Sequence, residues 1–442
     1  MMTRAVLFFV FASSVVYAST PASDFDAGLL SAVEYIRAEI AEAKTPSVRP
    51  LSLAQSYRDM PESATWVPLA VFSGLQGENT TAYETLLPVL YRPTVPGEDT
   101  LTGGIGHSYS VPAVYHDSPG GRFRVWYVET TRDAPDMTDT SGITGVPDYV
   151  ERTASACDHV EHVLIDSLNY RAPVSDTMVA YPPGWPNGGD GRFDVYLLDL
   201  PEGYLGYTVP EQVYGDRQAT CYLVLDNDYE GYSLGPDTLL ATTTAHELFH
   251  AAQFAYDVFE TGYVNGLSAP VWMEMSAVWA EDQVYPEYDQ YVSYLPIFFD
   301  NPWIGLFAFS NDRDSPHGLH QYAACVFSFF LEARFGAGTV RTVWEHCADV
   351  RGDNLISAID ATIAPHASFV SALSEFVEYN VFTGTRADST RFYHEAHLWP
   401  ELDVDSAQMH ASFPVSVPNA SDPPEGFGCG YAVFVPDGST GG

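Results

Sequence analysis

A chain of 442 residues with 46% hydrophobic and 14% aromatic residues has enough apolar material for a large folded core, which excludes a disordered or low-complexity protein. Its formal net charge is −39 and Lys44 is its only lysine, so it repels phosphate backbones and anionic membranes and nucleic acid is excluded as a partner. The acidity itself reads as a well-solvated surface.

The first element is a leader. Arg4 precedes a short apolar run from Ala5 to Val16, and Val16, Tyr17 and Ala18 form a small-residue cleavage site. The run is too short to span a bilayer, so residues 1–18 read as a secretory signal peptide. No later stretch reaches the roughly 18 uninterrupted apolar residues of a membrane helix, so the mature chain is expected to be secreted and not stably inserted. Residues 25–44 have helical periodicity, with Leu29, Leu30, Val33, Ile36 and Ile40 on one face. Residues 19–106 read as an N-terminal region, a candidate prosegment.

From residue 107 the texture is that of a folded domain. GRFRVWYVET (121–130), GRFDVYLLDL (191–200) and ATCYLVLDND (219–228) read as strands, and the 221–226 stretch as a sheet edge open to an added strand. Helices are expected from Pro147 to about Tyr170, from Asp237 to Tyr256, around 270–282, over 320–336 with Gly336 as its stop, and over 367–380. Strands first and helices later predict an α+β domain over 107–400. Residues 401–442 are rich in Pro and Gly with one strand-like run at Tyr431–Val435, and read as the start of a C-terminal β module or a linker. The chain ends at STGG without a closing element, as a truncated product would. Five cysteines allow two disulfides and one free thiol in an exported protein, and their wide spacing argues against a cysteine-built metal site.

The chemistry concentrates in HELFH at 246–250. On a helix, positions i and i+4 share a face, so His246 and His250 present their rings to one metal from consecutive turns. Glu247 between them reaches a water as general base. A catalytic zinc takes three protein ligands and an open position, so a third ligand is required. The metzincin pattern wants a glycine three residues and a histidine six residues after the second histidine; Gln253 and Tyr256 stand there instead. Downstream glutamates are Glu260, Glu274, Glu281 and Glu287. Glu260 follows the helix too closely to fold back. Glu274 lies in PVWMEMSAVWAED among Trp272, Met275, Val278 and Trp279, where a carboxylate is costly unless paired or metal-bound. Glu281, two turns later on the same face, is either an outer partner for a ligand histidine or the ligand itself.

HELFHAAQFAYD followed by VWMEMSAVWAED resembles the gluzincin branch of the zincin metallopeptidases, and more narrowly a family of secreted bacterial zinc metalloproteases. The resemblance covers roughly 107–400. It implies a zincin-type domain, Zn2+ held by His246, His250 and Glu274, Glu247 as catalytic base, and a polypeptide as substrate. Gluzincins often carry an aspartate four residues after the glutamate ligand; Val278 stands there, so the orienting role falls to Glu281 or Asp282. Tyr322, His317 and His320 are candidate oxyanion donors, Tyr322 the one taken into the expected catalytic set.

Other readings compete. A catalytically inactive surface or adhesion module on the same scaffold would keep the helices without the chemistry. GYSLG (231–235) matches a nucleophile elbow, but Ser233 lies well beyond the strand end, which makes a serine hydrolase the weaker alternative. TSGITGVPDYVE (140–151) aligns with a calcium loop at Gly145 and Glu151 but has Thr140, Gly142 and Thr144 where carboxylates are wanted, so a helix-entry turn is preferred to Ca2+.

Overall fold

The three segments read as strands form the centre of one sheet. The structure is a computed structural model that describes residues 62–63, 65, 68–69, 72–73, 90–95, 108–140, 142–181, 185, 187–200, 203–260, 263–264, 267–268, 271–310, 315–349, 355–402, 408–410 and 424–434. The leader and the 25–44 helix lie outside the described residues. The sheet contains β1 (Glu62–Ser63), β2 (Val114–Asp117), β3 (Phe123–Tyr127), β4 (Phe193–Leu198), β5 (Tyr204–Tyr214) and β6 (Gln218–Asp226), in the order β1-β5-β6-β4-β3-β2. Strands β3, β4 and β6 are parallel, β2 runs antiparallel to β3 and β5 to β6, and β1 pairs parallel with β5.

This order corrects one expectation. β6 lies between β5 and β4, so 221–226 is interior and not an edge. The strand beside it, β5, was not anticipated. Pro210 and Gly206 interrupt its alternation, and the ladder shifts register between Pro210 and Gln212, where a bulge accommodates a residue without an N–H.

Helix α1 (Asp148–Glu161) starts after Pro147 as expected and continues into a π-helical turn, His162–Ser167. Helix α2 (Pro236–Phe254) places Pro236 in its first turn, where the missing N–H costs nothing. From Leu239 to Phe254 every residue of α2 is buried, the pattern of a central helix walled on all sides. It packs against β5 and β6, α1, and α3 (Val271–Val284). The helical part then follows: α4 (Leu295–Asp300), α5 (His320–Ala323), α6 (Cys325–Phe335), α7 (Thr339–Asp349), α8 (Leu355–Ile363) and α9 (Phe369–Tyr379). The single helix expected over 320–336 is broken at Ala324, and Gly336 ends it with φ 103°. The chain is therefore of mixed α+β class. No single described helix is long and apolar enough to cross a membrane. At the C-terminal end, β7 (Gln408–His410) and β8 (Ala432–Phe434) pair in parallel.

The N-terminal region contributes to this core. Side chains alternate across the sheet, so Gly206 and Thr208 of β5 face α2 while Tyr207 and Val209 face away. On the far face the Arg92 guanidinium lies 5.6 Å from the Tyr222 ring, Tyr222 donates to Tyr91 O (2.7 Å), and Tyr109 donates to Leu197 O (2.8 Å). Arg92 is buried and donates to Glu211 through Nε (2.6 Å) and Nη2 (2.7 Å), to Asp176 (3.3 Å) and to Asp194.

All five cysteines are buried thiols without a disulfide, so the two bridges that their number allows are not formed. Burial pushes the Cys429 thiol up to about 11, which leaves it protonated and inert at neutral pH.

Asp226 ends β6 and accepts from the amides of Leu200 (3.1 Å), Asp228 (3.0 Å) and Tyr229 (2.6 Å). Burial outweighs these bonds and pushes its carboxyl up to about 7. Burial likewise lifts Asp176 and Asp282 to about 7. An acid raised in the folded state contributes stability below its unfolded pKa and loses it as pH rises through the folded value. Each of these acids is therefore expected to remove on the order of 2 kcal/mol of unfolding free energy between pH 5 and pH 8. Urea denaturation across that range checks it, and Asp226→Asn is expected to flatten the profile. A midpoint that rises with pH would contradict the assignment.

Candidate functional site

Helices α2 and α3 cross so that three ligand-type side chains meet. His246 and His250 project from consecutive turns of α2, their rings 4.7 Å apart and nearly perpendicular at 81°. Glu274 enters from the first turn of α3: its Oε2 lies 3.1 Å from His246 Nε2 and 3.5 Å from His250 Nε2. One ligand atom from each of the three falls within 4.8 Å of the others. Glu247, His250 and Glu274 are 0% exposed and His246 is 6% exposed.

The surrounding bonds fix which nitrogen each histidine presents. Gln253 Nε2 donates to Met273 O (3.0 Å) and Ser276 Oγ (3.1 Å), so its Oε1 faces His250 Nδ1 (2.8 Å) and accepts a hydrogen bond from it. His250 Nε2 then faces Glu274. His246 Nδ1 lies 2.7 Å from Glu281 Oε1, so Glu281 holds that ring and Asp282 does not. Asp282 groups instead with Asp289 and Glu395. Burial alone would lower the His246 imidazole, but Glu274 and Glu281 outweigh it and raise it to about 10. Glu274 is held down at about 2, because His250 and His246 outweigh the opposite effect of burial. The His246 proton thus sits where a cation would neutralise the same carboxylate.

Glu247 points the other way along α2, toward β5. Its Oε2 accepts from Thr208 Oγ1 (2.9 Å) and Thr65 Oγ1 (2.8 Å), while Oε1 is buried without a partner. The approach is close: a Cβ on Gly206 would stand 3.2 Å from Glu247 Cγ and 2.9 Å from Thr243 Cγ2. A cavity of about 20 Å³, room for one water, is lined by His246, Glu247, Glu281, Gln290, Tyr294 and Tyr322.

Tyr322 is brought to this site, its ring 6.2 Å from that of His246 and stacked on Tyr294 at 5.5 Å. His317 and His320 do not line the cavity. His317 pairs with Glu425 (2.6 Å), and His320 packs on Phe298 at 5.8 Å, where burial lowers it to about 4. Ser233 is exposed in the loop between β6 and α2. In the 140–151 turn, Asp139 accepts from Gly145 N (2.7 Å), Asp148 from Thr140 N (3.2 Å) and Glu151 from Ile143 N, so these carboxylates brace a helix entry.

Gln253, Thr208 and Thr65 were not singled out from the sequence. Gln253 had a usable signal, three residues after His250 on one helix face. The two threonines lie 39 and 182 residues from Glu247 and had none. No protein-family model matches the chain, and no curated protein does either.

Proposed function

We propose that this chain is an exported zinc-dependent endopeptidase of zincin type, with His246, His250 and Glu274 as ligands and Glu247 as general base. One observation carries the reading: three buried ligand side chains converge, and two of them, with the neighbouring base, keep a buried atom without a partner. His250 Nε2, Glu274 Oε1 and Glu247 Oε1 are all buried without a hydrogen bond. Such orphaned groups are costly in a protein interior unless a cation completes them. Two imidazoles and one carboxylate would suit zinc in type and number.

When bound, zinc supplies Lewis acidity and brings the ionisation of a water toward neutral pH. Glu247 takes a proton at Oε1 and returns it to the leaving amine, while Oε2 stays fixed by Thr208 of β5. Glu281 and Gln253 hold the histidine rings at their Nδ1 atoms. Tyr322, which lines the cavity, is the side chain assigned to stabilising charge on the reacting carbonyl.

The purified full chain is expected to hold about one zinc per molecule, and His250→Ala or Glu274→Ala to remove it. Wild-type protein refolded with zinc and retaining none would overturn the reading. Glu281→Gln is expected to weaken zinc binding by about 10- to 100-fold without loss of fold, read by competition with a chromogenic chelator.

A further inference from the structure

The cavity lined by His246 and Glu247 holds a water and not a peptide, and the base is wholly buried. A polypeptide adds to a sheet by pairing with a free backbone edge, and the edge beside Glu247 is that of β5. There β1 already pairs, with Ser63 opposite Gly206, the residue that touches Glu247. Two residues on, Thr65 occupies the Thr208 amide (2.8 Å) and donates to Glu247 Oε2 (2.8 Å). Leu69 and Phe72 are buried in helical turns beyond it, and Phe72 stacks on Phe259 at 6.0 Å.

We propose that Glu62–Ser63, Thr65, Leu69 and Phe72 form an autoinhibitory strap that occupies the substrate edge of β5 and caps Glu247. One backbone edge accepts one strand, so an incoming polypeptide and β1 exclude each other. The strap is held at two levels. Thr65 blocks chemistry at the base, and Leu69 with Phe72 secures the segment in the core. Arg92, further along, stays fixed on the far face of the sheet, so a released strap remains tethered. The strap rests on the metal-site reading for its inhibitory consequence but not for its geometry.

Two variants of the full chain test it, Phe72→Ala, which loosens the anchor, and Thr65→Val, which removes the donor at nearly constant shape. Relative to wild type, Phe72→Ala is expected to show amide hydrogen exchange at least tenfold faster across 204–208, with 325–335 still protected. Zinc withdrawal by a chelator should accelerate at least tenfold and hydrolysis of an unfolded polypeptide at least fivefold. Thr65→Val should raise hydrolysis severalfold. Unchanged exchange at 204–208 in Phe72→Ala overturns the strap, as does a zinc-loaded Thr65→Val that cleaves more slowly than wild type, since Thr65 would then support the base. If Phe72→Ala also loses protection over 325–335, the exchange and hydrolysis of Thr65→Val decide. A protein that binds no zinc yet opens at 204–208 in Phe72→Ala retains the strap and refutes the metal reading.

Discussion

Glu247→Gln is expected to retain zinc and to lower hydrolysis of an unfolded polypeptide by about 100- to 10,000-fold, the range a positioned general base contributes. The isosteric amide keeps the acceptor oxygen for Thr65 and Thr208, so the fold around α2 is preserved. What it loses is the ability to take a proton at the oxygen that now faces no partner. Glu247 is not among the three converging ligands, which is why zinc content separates its role from theirs. The comparison is made both in the wild-type chain and in the Phe72→Ala background, where the opened edge raises the signal. Equal hydrolysis by Glu247→Gln and its parent, with zinc bound in both, would remove Glu247 from the chemistry. Loss of zinc in Glu247→Gln would instead assign it to holding the centre.

The helical half of the site was legible because its geometry is local. His246, Glu247 and His250 share one α2 turn and a half, Gly235 and Pro236 mark the helix start, and Glu274 and Glu281 lie two turns apart on α3. Helical period alone then brings one carboxylate between the two histidines and the other behind His246. The sheet half was not legible, for two reasons. Pro210 and Gly206 disguise β5 as a loop, although both are there for structural causes, a bulge and a close approach to α2. And the order of strands is a property of the whole chain: β6 has the apolar composition of either an edge or an interior strand, and only the insertion of β5 and β4 on its two sides decides. The 320–336 helix failed in the opposite way. Its composition is continuous, but Leu319 adopts φ 61° and the chain kinks at Ala324, which turns Tyr322 toward His246. A left-handed leucine is strained, and such strain is tolerated where the surroundings demand a particular placement.

Arg92→Ala is expected to destabilise the protein by about 3–5 kcal/mol at pH 7.5, the cost of leaving buried carboxylates without their partner. Glu211, Asp194 and Asp176 all turn to this one guanidinium, and the first is engaged through two nitrogens. Arg92→Lys is expected to recover part of that loss, because an ammonium supplies charge but not the planar fork that reaches three carboxylates. The deficit also has a pH signature. Burial holds Asp194 up at about 6 and Asp176 at about 7 even with the guanidinium present. Without it both rise further, so at pH 5 they are protonated and the missing charge matters less. The difference between wild type and Arg92→Ala, measured by urea denaturation, should therefore shrink from pH 7.5 to pH 5; a constant difference would mean that packing and not charge sets the cost. The consequence reaches the site through β5. Glu211 follows Thr208 on the same strand, so the ion cluster that fixes one face of β5 also fixes the hydroxyl that holds Glu247 from the other. Arg92 belongs to the stretch that reads from sequence as a prosegment, yet it neutralises a core that the rest of the domain leaves acidic. A chain truncated before β2 would carry that uncompensated charge into folding, and is expected to be recovered mainly as insoluble protein, whereas a cut made only beyond the strap residues would leave Arg92 in place.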